Sequence, residues 1–499
     1  MQQLTTLDAQ FLAIESATTY GHVGGLAVYD PASAPGGELT LRDVCRLVGQ
    51  RLHLLPPFRR RLVPVPFGID LAYWIEDPEF DIDFHIRESA VPPPGTDAKL
   101  AETVAEVFAR PLDRAHPLWE LYLIHGLEGG RSAVLTKHHH SVADGVSGAE
   151  ILSILLDHSP EGRDLPDRRE HPAGERVPNS VEMLVRGALG VPRQPLRALR
   201  SIPSALPNLT DLPGASAFPA VPTLARGLSR LRGRVAGEDT RVREALAARA
   251  PRTRFNAPIS PHRRFAFGSV SLDSVKAVKN ELGITVNDVI VALCASGVRD
   301  WLEERGELPD EPLVAMIPIS VRSEEERGTF GNRVTTMVVP IPTNEPDPRR
   351  RLLRTHELLM SAKERQRALP ADLLVDATSF IPPAVGALAA RTVVGILSRT
   401  RPPLNLVISN IPGPREPLYF AGALLEAHYP VSAIADGVGL NMTVMSYRDH
   451  VDFGIVADRE QVDEIWSLMD RTAAALEELE SVICGGRPKP AAAPEPARA

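Results

Sequence analysis

The segment from Leu118 to Leu156 constrains this chain most. Two strand-like apolar runs are joined by Glu128-Gly129-Gly130-Arg131, a composition that predicts a hairpin. The second run leads directly into His138-His139-His140. From Gly145 to Leu156 the apolar residues recur at helical spacing. The histidines therefore sit where a strand gives way, through a glycine, to a helix. Strand ends are where α/β folds commonly present reacting groups. Histidine can accept a proton near neutral pH and return it. Asp144 follows the last histidine by four residues, placed to fix a local turn or to pair with a basic residue. Gly145 permits close packing or a positive φ. Neighbouring side chains on a strand point to opposite faces, so the three histidines are poorly arranged to share one metal ion. Taken alone, the motif also fits structural histidines at a strand end.

Other chemistries leave no trace. The chain has no Gly-x-Ser-x-Gly elbow, no Walker A loop and no His-Glu-x-x-His helix. Cys45, Cys294 and Cys484 lie far apart and form neither a zinc spacing nor a disulfide framework. A net charge of -8 argues against nucleic-acid binding as the role of the whole chain. What remains is direct group transfer, with a histidine activating a substrate hydroxyl. The N-terminus lacks the basic and apolar pattern of a signal peptide. The long apolar stretch at Phe380 to Ser398 contains two prolines and Arg391, which makes it a poor spanning helix.

With 499 residues, 43% of them hydrophobic, the chain can build two cores. Strand and helix patterns mix throughout, so the expected class is α/β (mixed α+β). Residues 1–160 form a first domain, with strands at Gly24–Asp30 and Phe80–Ser89 and a helix within Leu39–Phe58. Residues 161–255 form a crossover linker. From Val181 to Ala250 it holds eleven arginines, no lysine and five acidic residues, suited either to an anionic membrane surface or to a solvated connection. Residues 256–484 form a second domain. Its helices include one capped by Gly283 and one that starts near Thr285 or Asn287, where Asp288 suits the helix dipole. Residues 485–499 are a low-complexity tail.

An ordered set of blocks resembles the bacterial wax ester synthase/acyl-CoA:diacylglycerol acyltransferases, within the superfamily that includes chloramphenicol acetyltransferase. The HHxxxDG signature stands as His139 to Gly145. Asp8 to Phe11 with Glu15, Pro57 to Arg60, Phe80-Asp81 with His85, and Pro117 to Glu120 match in order. So do Asn287-Asp288, Pro318, Ser320 and Arg322, then Gly331-Asn332, and finally Ser409 to Pro414 with Pro417 and Tyr419.

The resemblance implies two chloramphenicol-acetyltransferase-like domains joined by a long helical crossover, with a tunnel reaching the histidine from both sides. It implies transfer of a long acyl chain from acyl-CoA to the hydroxyl of diacylglycerol, giving triacylglycerol and CoA, with no cofactor or metal. His140 would be the general base, His139 a positioning residue and Asn287 a contributor to the active centre. Asp144 would orient the loop through an arginine, and Gly145 would complete the motif. Pro117, Trp119 and the Gly413 turn read as structural. A fatty-alcohol acceptor, giving a wax ester synthase, stays open. So does a non-catalytic lipid-binding protein on the same fold, whereas the full set of late blocks speaks against a glycolipid or polyketide acyltransferase. A cytoplasmic protein, monomer or homodimer, touching the inner face of the membrane or a lipid droplet would fit.

Overall fold

The computed structural model describes residues 1–142, 151–163, 175–190, 250–320, 334–367 and 402–485. Within these the mixed α/β class is present, in two halves built on six-stranded sheets.

The N-terminal sheet contains β2 (His22–Asp30), β5 (Ile86–Ala90), β6 (Trp119–His125) and β7 (Ser132–His139). The expected hairpin is there, with β6 and β7 antiparallel across the turn at Glu128–Gly130. β6 is buried along nearly its whole length, as a continuous apolar run in a central strand should be. A small sheet of β1 (Gln2–Gln3), β3 (Arg60–Val63) and β4 (Tyr73–Glu76) lies apart from it.

The helices of this half are α1 (Thr6–Ala13), α2 (Leu41–Arg51), α3 (Ile82–His85) and α4 (Asp97–Phe108). The strand expected over Phe80–Ser89 is only half right. Asp81 accepts a hydrogen bond from the Asp83 N–H and caps the single turn α3, so extended structure begins at Ile86. The expected helix within Leu39–Phe58 is α2, capped by Thr40 and followed by short turns into the prolines.

The C-terminal sheet has the order β10 (Val334–Ile341), β9 (Leu313–Ser320), β11 (Leu406–Ile411), β14 (Leu440–Tyr447), β15 (His450–Asp458) and β8 (Arg263–Ser271). From the linker, α5 (Ser180–Gly190) seats Met183 against Val63, Val65 and Ile75. The C-terminal helices are α6 (Leu272–Leu282), α7 (Val286–Glu303), α8 (Pro348–Arg367) and α9 (Ile465–Ile483). Gly283 ends α6 in the left-handed region, φ 66°, as expected for a helix cap. Thr285 caps α7 in a reciprocal box with Asp288. α7 is buried from Asp288 through Val298 without a break, which identifies it as a core helix. No single helix among the described residues is long and apolar enough to cross a membrane.

The expected division at residues 256–484 needs one correction. β12 (Tyr419–Phe420) and β13 (Ala423–Val431) leave the C-terminal half and complete the N-terminal sheet, in the order β12-β13-β2-β7-β6-β5. Periodicity marks a strand but does not name its partner. The crossing strand is held from both sides. Tyr447 Oη donates to Leu425 O at 3.1 Å and accepts from the Leu418 N–H at 3.0 Å. Asp452 accepts from the His428 N–H at 3.0 Å. At Gly454 a Cβ would fall 1.7 Å from Pro430 O, so only glycine lets β13 lie this close to β15.

Candidate active site

The end of β7 pairs with the start of β2, where His139 lies opposite His22. One residue on, the His140 N–H still donates to Gly21 O at 2.8 Å, so the main chain at His140 is pinned. Alternation then sorts the three histidines. His138 and His140 line a cavity between the two sheets. His139 points to the other face. The His140 ring stacks on Phe11 of α1, with centroids 4.0 Å apart and planes 9° from parallel.

His139 is 1% exposed and bonded at both ring nitrogens. Its Nδ1 accepts from the Ser141 N–H at 3.1 Å, so Nε2 carries the proton and donates to Glu15 Oε1 at 3.1 Å. Glu15 also accepts from the Gly21 N–H at 2.9 Å and from Arg114 at 2.6 Å. Burial works to raise the Glu15 carboxyl. The hydrogen bonds from His139, Arg114 and the Gly21 N–H outweigh it and bring its pKa down to about 2. Glu15 and His139 thus grip Gly21, the residue whose carbonyl pins His140. A Cβ at Gly21 would stand 2.7 Å from His139 Nε2, leaving no room for a side chain.

The other half supplies Asn287, in the first turn of α7, which also lines the cavity. Asn410, at the end of β11, donates through Nδ2 to Asn287 Oδ1 at 3.2 Å. With its oxygen engaged, Asn287 presents its NH2 as a donor. Asp288, its neighbour, has a structural role. It is 1% exposed, accepts from the Thr285 N–H at 2.9 Å and lies 2.7 Å from His356 Nδ1.

The cavity measures about 800 Å³ and draws its walls from both halves. Val23, Val48, Phe58 and Leu121 face it from one side, and Met316, Ile317, Met337 and Met445 from the other. Its exposed lining is mostly apolar, with polar side chains interspersed, a make-up suited to a largely apolar ligand. Trp119 also borders it, while stacking between Phe58 and His85 and donating to Phe58 O at 2.7 Å. It is therefore both a core residue and a wall. Gly413 packs against β14, where a Cβ would meet Ser446 O at 2.1 Å.

The structure places His140 and Asn287 on one cavity, with His139 behind them on the other face of β7. Asp144 and Gly145 lie outside the described residues, as do the Phe380 to Ser398 stretch and most of the linker. Sequence reasoning noted Glu15 only as part of the opening block. Its partner His139 lies 124 residues away, and nothing local to Glu15 names that partner. The Asn410 contact was hidden for the same reason. Among the described residues no group of histidine, cysteine or acidic side chains is placed to hold a metal ion.

Comparison with known proteins agrees with this geometry. Residues 4–290 match the wax ester synthase/diacylglycerol acyltransferase catalytic domain, and residues 330–480 match the WS/DGAT C-terminal domain. A Mycobacterium tuberculosis protein described as a probable diacylglycerol O-acyltransferase is 35% identical over 477 residues, 95% of this chain and 98% of its own. The wax ester synthase/diacylglycerol acyltransferase from Marinobacter aquaeolei VT8 superposes with a TM-score of 0.68. It is 29% identical, and the match covers 97% of this chain and 100% of that one. The first condensation domain of the calcium-dependent antibiotic synthetase shares the fold, with a TM-score of 0.54 at 15% identity over 97% of this chain and 96% of its own. The chain belongs to the bacterial wax ester synthase/diacylglycerol acyltransferase family and is an O-acyltransferase.

Proposed function

We propose that this O-acyltransferase moves a long-chain acyl group from acyl-CoA to the free hydroxyl of diacylglycerol, with His140 as general base. One observation carries the reading: His140 from one half and Asn287 from the other face a single apolar cavity between the sheets. His140 takes the proton of the acceptor hydroxyl as its oxygen attacks the thioester carbonyl. Asn287, with its amide nitrogen free to donate, stabilises the oxyanion that develops. The tetrahedral intermediate collapses, the C–S bond breaks, and the His140 imidazolium returns the proton to the CoA thiolate. His139 and Glu15 position His140 through Gly21. Asp144, beside Gly145, orients the loop.

Direct transfer fits the cysteines. Burial raises the pKa of Cys45, and pushes that of Cys294 up to about 12, both of which disfavour a thiolate nucleophile. An acyl-enzyme trapped by rapid quench overturns direct transfer. The diacylglycerol acceptor draws its support from the mycobacterial relatives' names.

Contact with a membrane or lipid droplet fits the surface. Phe67, held at positive φ in the turn Pro66–Gly68, is 87% exposed. That turn packs against α5, where Val181 and Val185 are 68% and 53% exposed. The deciding assay offers palmitoyl-CoA with dioleoylglycerol and hexadecanol in competition and separates the products. Triacylglycerol as the main product is expected. Wax ester alone assigns the fatty-alcohol reading, and no acceptor-dependent CoA release indicates a binding protein.

A further inference from the structure

Arg263 opens β8, at the edge of the C-terminal sheet, and its side chain reaches into the other half. Its Nη2 donates to the main-chain oxygen of Thr18, 245 residues away in sequence. Its guanidinium lies 5.5 Å from the centre of the Tyr20 ring. Nη1 donates to Ser260 O at 2.7 Å and to His262 O at 3.2 Å. Asp458, opposite Arg263 on β15, directs Oδ2 to the Ser260 N–H and hydroxyl instead. Arg263 is 8% exposed, so this is a buried guanidinium whose hydrogen bonds go to neutral carbonyls. An apolar side chain of that volume would join the two surfaces without the desolvation of a charge.

The segment that Arg263 holds leads from α1 into β2. It is bonded within itself: the Ser16 N–H donates to Thr19 O at 2.9 Å, the Thr19 N–H to Ser16 Oγ at 3.0 Å, and Tyr20 Oη to Ala17 O at 2.8 Å. Its last residue is Gly21, whose carbonyl takes the His140 N–H. The Tyr20 ring also stacks on His22, with centroids 5.3 Å apart and planes 6° from parallel, and His22 meets His139 edge-on at 6.3 Å. A main-chain route and a ring route therefore run from Arg263 to the end of β7. Glu15, Arg114 and His139, which grip the same segment, all belong to the N-terminal half. Arg263 adds a hold from the other sheet.

We infer that Arg263 is a positioning residue for the reaction. By holding Thr18 and Tyr20 it fixes Gly21, and through Gly21 it sets the His140 main chain against the half that carries Asn287. The inference rests on His140 as general base. A base works only within hydrogen-bond reach of the proton that it takes, and a misplacement of about 1 Å costs about 10²-fold in rate.

The test uses the full chain with palmitoyl-CoA and dioleoylglycerol in mixed micelles. Arg263→Met keeps much of the volume and removes the donors. Its kcat should fall about 10-fold to 100-fold, with KM for palmitoyl-CoA little changed. Arg263→Lys, which keeps a charged donor for Thr18 O, recovers part of that kcat and stands in if Arg263→Met does not fold. Circular dichroism and thermal unfolding report folding. In a His140→Ala background Arg263→Met should cost nothing further, because the group that it positions is gone. An unchanged kcat in the folded variant, a rise in KM at constant kcat, or an equal fall in the His140→Ala background overturns the inference while leaving His140 as the base. Near wild-type turnover in His140→Ala itself overturns that reading, and the inference with it.

Discussion

The two six-stranded sheets match in size and differ in self-sufficiency. The C-terminal sheet takes every strand from its own segment, and α7 and α9 lie together in its core. The N-terminal sheet carries the histidines but is completed by β12 and β13, which come from the other half. The half that carries His140 is therefore the half whose sheet depends on strands from the other. The same crossing that completes the sheet brings Pro430 and Ser432 to the cavity, whose walls belong to both halves. The crossing strand thus serves both the sheet and the cavity wall. A surface strand edge left open on the N-terminal sheet would also invite aggregation.

The largest effect tests the chemistry on the dependent sheet. His140→Ala should lower kcat about 10²–10⁴-fold, the usual loss for a general base, with circular dichroism unchanged. Near wild-type turnover in that folded variant would remove His140 from its role. Asn287→Ala asks whether the self-sufficient half contributes to the reaction itself. Loss of an oxyanion donor predicts a fall in kcat of about 10²–10³-fold with little change in KM for palmitoyl-CoA. A rise in KM at constant kcat would make Asn287 a binding residue instead.

Tyr447→Phe tests the seam. It leaves the Leu418 N–H and Leu425 O without their buried partner, at a cost of about 1–3 kcal/mol. One lowered transition in thermal unfolding is expected. Two separated transitions would show that the halves unfold independently.

Glu15→Gln has the smallest effect and reads pH. Glu15 has a folded pKa near 2 against an ordinary value of 4.5, so its stabilisation is present above pH 4.5 and is lost as pH falls toward 2. The variant should lose less stability than the wild type over that window, measured as Tm against pH. Parallel curves would mean that Glu15 is not held by His139 and Arg114 in solution.

Much of this was legible in the sequence because it is local. The hairpin into the histidines, the Gly283 cap and the Thr285 start of α7 each rest on residues a few positions apart. Alternation along β7 already separated His139 from His140. The Phe80–Ser89 strand was misread because Asp81 offers the chain a capped turn, which competes with an alternating pattern.

By itself the sequence determined the family and most element types and singled out candidates for the chemistry, since periodicity, caps and motif spacing act within one stretch of chain. Tertiary structure alone decided which strand completes the N-terminal sheet, that Glu15 holds His139, and that Asn410 orients Asn287. Those are pairings between distant segments, and the pattern of one segment does not encode where another will pack.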